Sequence, residues 1–304
     1  MIEVEQLTKR YGPTTAVRDL SFTVRPGHVT GFLGPNGAGK TTTLRMLLGL
    51  VEPSGGTATV SGRSFRRHPR GLRHVGALLD AHDVHGGRSA RAHLHALARS
   101  NRIPKARVDE VLAEVGLTGS AARRRVGTFS LGMKQRLGIA AALLGDPPVL
   151  MFDEPLNGLD PEGVLWVRGL FRRLAHEGRT VFVSSHLMSE MENTADELIV
   201  IGRGELIAAE SLVQFAARGT APTVTVRSPD AGALAVVLAA EGAVVAPCGE
   251  ETLKVDGLDA VRVGELAHEH RFLLWELATQ TASLETAFME LTADSVEYLA
   301  GEPR

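Results

Sequence analysis

"FLGPNGAGKTTTL" (residues 32–44) closes a short apolar run with a loop of three glycines and a proline, then passes at once to a lysine, three threonines and a leucine. Gly34, Gly39, Lys40 and Thr41 satisfy the spacing G-x-x-x-x-G-K-[ST], after a strand-like run and before a helical one, which is the context the pattern requires. Glycines let backbone N–H groups turn inward around phosphate oxygens, and a helix starting near Lys40 points its positive end at the same anion. Lysine is scarce in this chain, at positions 9, 40, 105, 134 and 254 only. A compact ammonium on a flexible stem suits β- and γ-phosphates, where a guanidinium would fork and fit poorly. The hydroxyl of Thr41 suits Mg²⁺. Asn36, Gly37 and Thr42 complete the stretch assigned to nucleotide binding.

A second stretch supports the first. "PVLMFDEP" (148–155) reads as a buried strand ending in two carboxylates. Asp153, at the strand's end, is suited to hold Mg²⁺ directly or through water. Glu154, next in the chain, is suited to point into the cleft and orient a water against the γ-phosphate.

Working outward, residues 1 to about 210 alternate β-rich runs with longer helical patterns. Strands are expected at 2–7, 20–24, 28–33, 57–60, 75–79, 148–152, 180–185 and 197–202, and helices at 40–51, 88–100, 104–115, 131–145 and 161–176. The runs 149–152 and 181–183 are apolar throughout, as in parallel strands buried on both faces. An early antiparallel set followed by α/β alternation implies a mixed sheet with helices on its faces. "GTAP" (219–222) breaks this pattern. Beyond it come "TVTVRS", a helix at 231–240, "AVVAP", "TLKVDG", a helix at 259–268, "RFLLWEL" and a last helix at 283–293. That β-α-β-β-α-β order reads as a small ferredoxin-like α+β unit. The expected domains are therefore 1–218 and 222–304.

Composition narrows the class. The chain has 304 residues, 44% hydrophobic and 22% charged, enough to bury a sizeable core without staples. A net charge of −2 gives no long-range pull toward nucleic acid or anionic membranes. The arginine clusters at 66–73 and 123–125 read as solvated faces. One cysteine, Cys248, rules out an internal disulfide and fits a reducing compartment. "MIEVEQLTKRYG" lacks the apolar run of a signal peptide, and no stretch nears the roughly 18 apolar residues of a membrane span. A membrane role would need another chain to supply the membrane part.

With these elements in order, the first ~210 residues resemble the ATP-binding subunit of an ABC transporter. The resemblance implies a P-loop NTPase fold with a helical signature subdomain beside its mixed sheet. "FSLGMKQRLGIA" (129–140) is similar to the LSGGQ signature, with Ser130 and Gly132 at its serine and second glycine, and Leu131 and Met133 in place of its first glycine and glutamine. "NGLDP" (157–161) resembles the D-loop, with Asp160 as its aspartate, and "SSH" (184–186) the switch histidine, His186. Tyr11 in "TKRYG" occupies the place of the aromatic that stacks on adenine. The family commonly has glutamine after the strand that follows the first helix; here "VGALLD" ends in Asp80, an acid that also occurs in some ABC-2-type export subunits of the bacitracin- and lantibiotic-resistance type. "SLETAFMELT" (283–292) looks like the closing segment of drug-export ATPases with a small C-terminal domain.

The resemblance implies two copies closing face to face, each ATP lying between Lys40 of one and Ser130–Gly132 of the other. Asp160 would tie the two sites together, and His186 would hold the γ-phosphate and the water that Glu154 activates. Asp80, shorter than glutamine, charged and able to reach Mg²⁺ through a water, reads as a Mg²⁺-linked sensor, with a solvated strand-end acid as the alternative. The resemblance further implies a separate integral-membrane permease met near Asp80, and a place on the cytoplasmic face of the cell membrane. A soluble ABC-type ATPase acting on nucleic acid or ribosomes is the competing class, although sustained heptads and a second set of ATP motifs are missing from the sequence. A nucleotide-gated regulator is a third, argued against by Glu154 and His186. Import versus export rests on the resemblance alone, and the transported substrate is not encoded here.

Every landmark ends by His186, so residues from 222 on are expected to take no part in the nucleotide chemistry. A chain ending at Gly219 should bind ATP with the affinity of the full chain in calorimetry; a folded truncation without binding would overturn this division of labour.

Overall fold

A computed structural model describes residues 1–217, 223–280 and 284–292. The described residues form two compact units, one of Met1–Leu212 joined by Leu291 and Thr292, the other within Val213–Glu290. The boundary expected at 218–222 lies outside the described residues.

The first unit holds two sheets. β1 (Ile2–Tyr11), β2 (Thr14–Val24) and β4 (Gly55–Val60) form an antiparallel sheet in the order β2-β1-β4. β3 (Val29–Leu33), β5 (Val75–Leu78), β6 (Val149–Asp153), β7 (Thr180–Ser185), β8 (Glu197–Gly202) and β9 (Glu205–Ser211) form the second, ordered β5-β6-β7-β3-β8-β9. All its neighbours are parallel except β8 and β9. β3, β6 and β7 are buried at every residue, which explains their unbroken apolar runs. Their register is level: Asp153 pairs with Ser184 and Leu33 with Ser185. The carboxyl ends of three central strands therefore open onto one edge of the sheet, where ligands bind in open α/β folds.

The two sheets meet through Phe22 of β2, Phe32 of β3 and Phe182 of β7, with ring centroids 5.1–5.8 Å apart. The helix Leu131–Leu143 lies very close to β5: a methyl at Gly76 would come within 2.0 Å of the Ala142 carbonyl oxygen, and one at Gly138 within 2.4 Å of Leu78. The helix Pro161–His176 starts on an Asp160 cap with proline in its first turn, and ends with Arg173 and His176 in its last, complementing the helix dipole.

The second unit contains β10 (Thr223–Arg227), β11 (Val244–Pro247), β12 (Thr252–Asp256) and β13 (Glu276–Gln280), antiparallel in the order β11-β12-β10-β13. With helices Ala231–Ala240 and Ala260–Glu269 between strands, this is the split β-α-β-β-α-β arrangement of a ferredoxin-like unit. Val224, Val226, Leu253 and Val255 face Leu234, Leu238, Val263 and Leu266 in a core of its own.

Several boundaries differ from the sequence reading. The first helix, Lys40–Leu47, stops short of residue 51 because Gly49, at φ +63°, turns the chain into the left-handed region. β1 and β2 run on as a long hairpin through polar residues on both sides of Gly12. β9 was not foreseen at all. "RFLLWEL" is mostly not strand: Phe272 and Leu274 pack on the core as irregular chain, and β13 starts only at Glu276.

Phe182 is fully buried at the meeting of the two sheets. Phe182→Ala should lower the stability of the first unit by about 3–5 kcal/mol, read from the urea midpoint. A loss under about 1 kcal/mol would show that the aromatic contacts are not what joins the sheets.

Candidate functional site

The loop after β3 is shaped by close approach. A methyl on Gly34 would lie 2.4 Å from the Ile201 carbonyl oxygen, and one on Gly39, already at φ +101°, 2.6 Å from that of Ala16. Only glycine fits either place, so the backbone itself forms the cradle. Asn36, Gly37, Gly39, Lys40, Thr41, Thr42 and Glu154 line a cavity of about 240 Å³ over this loop. Lys40 is buried and arches back, its Nζ donating to the carbonyls of Gly34 at 2.6 Å and Pro35 at 3.3 Å. Burial pushes the Lys40 ammonium below the usual lysine range, against the opposing pull of Glu154 and Asp153.

Level strand ends bring the acids to the loop. Thr41 Oγ1 donates to Asp153 Oδ2 at 2.7 Å, and Ser184 Oγ donates to Asp153 Oδ1 through a short bond. A hydroxyl and a carboxylate side by side are the hard oxygen donors that Mg²⁺ selects. Among the described residues no group of three or more His, Cys, Asp or Glu is placed to hold a metal, so phosphate and water oxygens must complete such a site. Residues Thr41 and Asp153 fit that requirement.

Glu154 sits just past the strand with φ +49°, an uncommon conformation for a residue with a side chain. Its N–H donates to Ser184 Oγ at 3.0 Å. Its carboxylate lies 2.9 Å from His186 Nδ1 and 3.8 Å from Lys40 Nζ. Burial holds the Glu154 carboxyl above the ordinary glutamate range, and His186 and Lys40 partly offset the rise. A desolvated carboxylate beside an imidazole and an ammonium is suited to accepting a proton.

Within one chain, then, Lys40, Thr41, Asp153, Glu154 and His186 converge. The others stand apart. Tyr11 is half exposed at the end of β1, with Lys9 Nζ 5.0 Å above its ring. Ser130 and Gly132 do not line the Lys40 cavity; Ser130 caps its own helix, accepting from Met133 N at 3.3 Å. Asp160 likewise accepts from Gly163 N at 3.1 Å. Asp80, expected as a metal ligand, is not brought to Thr41 and Asp153. It is exposed, its Oδ1 accepts from His82 N at 2.7 Å in a local turn, and it lines a different cavity with Arg45 and Asp83. β5 ends at Leu78, and the two residues that follow carry the carboxylate into that turn. Ser184 was missed: it bridges Asp153 and Glu154, and its one sequence signal is a hydroxyl directly after the apolar run 181–183.

Comparison with known proteins agrees with this geometry. The family described as "ABC transporter" matches residues 17–157, and a "Domain of unknown function (DUF8746)" matches residues 222–285. The chain is 37% identical over 307 residues to the "Uncharacterized ABC transporter ATP-binding protein YhcH" of Bacillus subtilis, covering 98% of this chain and 97% of that one. It is 44% identical over 210 residues to the "Bacitracin transport ATP-binding protein BcrA" of Bacillus licheniformis, covering 68% of each. A solved "ATP binding subunit of ABC transporter" superposes with a TM-score of 0.66 at 26% identity, over 72% of this chain and 92% of that one. The phosphate loop, the level carboxylates and a relative matched from end to end lead to one conclusion: this chain belongs to the ATP-binding subunits of ABC transporters and is an ATPase of that family.

Proposed function

We propose that this subunit hydrolyses MgATP with Glu154 as general base and delivers the resulting motion to a separate membrane permease that exports a drug, antibiotic or lipid-like substrate. The observation that carries the chemistry is the Glu154 carboxylate, poised 2.9 Å from His186 and 3.8 Å from Lys40 at the mouth of the phosphate loop. Lys40 exchanges its contacts with the Gly34 and Pro35 carbonyls for the β- and γ-phosphate oxygens. Thr41 and Asp153 would hold Mg²⁺, which when bound would supply positive charge to the phosphates. Glu154 takes a proton from a water whose oxygen bonds to the γ-phosphorus. The bond from that phosphorus to the bridging oxygen breaks, its electron pair leaves with ADP, and His186 hydrogen-bonds the departing phosphate.

Ser130, Gly132, Asp160 and Tyr11 stand apart from this cavity, and the first three act across a pair of copies. The helix Leu131–Leu143 aims its N-terminus, capped by Ser130, at the γ-phosphate held by the other copy's Lys40. Tyr11 stacks on the adenine of its own chain's nucleotide. The permease meets the surface around the cavity lined by Arg45, Leu50, Asp80 and Asp83. Among the described residues no helix is long and apolar enough to cross a membrane, which supports a peripheral position through that partner. Similarity to a bacitracin transport protein over 210 residues supports export, and the near-neutral net charge argues against nucleic acid as the partner.

Glu154→Gln should keep ATP binding and lose turnover by about 10²–10⁴-fold, whereas Lys40→Ala should weaken binding itself in calorimetry. Wild-type turnover in the glutamine variant would remove Glu154 from its role. With ATP and Mg²⁺, Glu154→Gln should double its mass in light scattering, and ADP should not suffice because it lacks the phosphate that joins the two surfaces. Equal dimers with both nucleotides would place the contact elsewhere.

A further inference from the structure

Glu154 presents a structural problem that its own neighbours in sequence do not solve. A non-glycine residue in the left-handed region is strained and persists only where its surroundings over-determine it. One end of the residue is held by β7, through the bond from Glu154 N to Ser184 Oγ at 3.0 Å. The other end is held from a distant element. Gln135, on the helix Leu131–Leu143, is only 5% exposed, and its Nε2 donates to the Asn157 carbonyl at 3.2 Å with a longer contact to the Glu154 carbonyl at 3.5 Å. Both neighbours are acceptors, so only the amide end of the side chain can face them. Among the described residues its buried Oε1 meets no hydrogen-bond donor. A buried acceptor left without a protein partner is unfavourable, and an apolar side chain would avoid it. An apolar side chain of the same length would fill this place but could not donate to either carbonyl.

A second contact joins the same two segments. A methyl on Gly158, at φ +74°, would fall 2.2 Å from Leu131 Cδ2, and one on Gly132 would fall 3.3 Å from the Gly158 carbonyl oxygen. Leu131, the departure from the usual glycine, thus lies directly on the loop that follows Glu154. We propose that Gln135 is a positioning residue that clamps the 154–157 backbone to the start of the signature helix, so that this helix and the Glu154 carboxylate move as one body. The proposal rests on the reading of Glu154 as the base. It makes each chain a lever: displacement of Ser130 and Gly132 by the opposing nucleotide is passed through Gln135 to the base of the chain's own site, 19 residues further on.

Steady-state ATPase of the full chain tests this with Gln135→Met, which keeps length and removes the donors, and with Gln135→Asn, which keeps the amide but is one methylene too short to reach Asn157. Both should lower kcat about tenfold or more, as small misplacements of a reacting group do, with KM for ATP and Tm little changed. In single turnovers, Gln135→Met combined with Glu154→Gln should be no slower than Glu154→Gln alone, because the glutamine acts only through the glutamate. Wild-type kcat in both single variants would overturn the clamp, as would losses that multiply in the double variant or a fall in kcat matched by loss of folded, ATP-binding protein. Wild-type turnover in Glu154→Gln itself would overturn the base assignment, and the clamp with it.

Discussion

The parallel register of β3, β6 and β7 is the constraint on which the site depends. Asp153 stands level with Ser184, and Leu33 with Ser185. A shift of one residue in either ladder would turn Asp153 or Ser184 to the opposite face of the sheet and break the bonds among Thr41, Asp153 and Ser184. Full burial of all three strands specifies that register strongly, because slippage would move every side chain of a strand to the other face. The Phe22–Phe32–Phe182 cluster then ties the sheet to its antiparallel neighbour.

On that frame the charges are arranged so that none is buried alone. Lys40 is desolvated, yet faces two carbonyls and the Glu154 carboxylate. Glu154 is raised by burial, yet meets an imidazole and an ammonium. Each group has a partner it can exchange for a phosphate or a water at little net loss of hydrogen bonding, which is what a site that must bind and release a highly charged nucleotide requires. The second unit carries a core of its own and matches a domain of unknown function.

Much of the nucleotide site is local, and local features could be read from the chain alone. The spacing of Gly34, Gly39, Lys40 and Thr41 depends only on the geometry of one loop and the helix after it. The all-apolar runs of β6 and β7 announced central parallel strands, and the β-α-β-β-α-β order announced the topology of the second unit. Polar edges were harder: β9 and the outer reaches of β1 and β2 carry mixed sequences, because strands with a solvated side need no continuous apolar pattern.

What the sequence by itself determined was which residue types stand next to one another along the chain, and hence the phosphate loop, the acidic strand end and the two-part organisation. Tertiary structure alone decided how far each carboxylate reaches. Asp80 and Asp153 both follow apolar strands, but one folds back on His82 while the other meets Thr41, a choice made by the neighbouring chain rather than by either strand. The links from Ser184 and Gln135 to Glu154 join residues 30 and 19 positions apart. Hydrogen bonds of that span follow from the pairing of β7 with β6 and from the approach of the signature helix to the loop after β6, and no periodicity or motif in a single sequence encodes them.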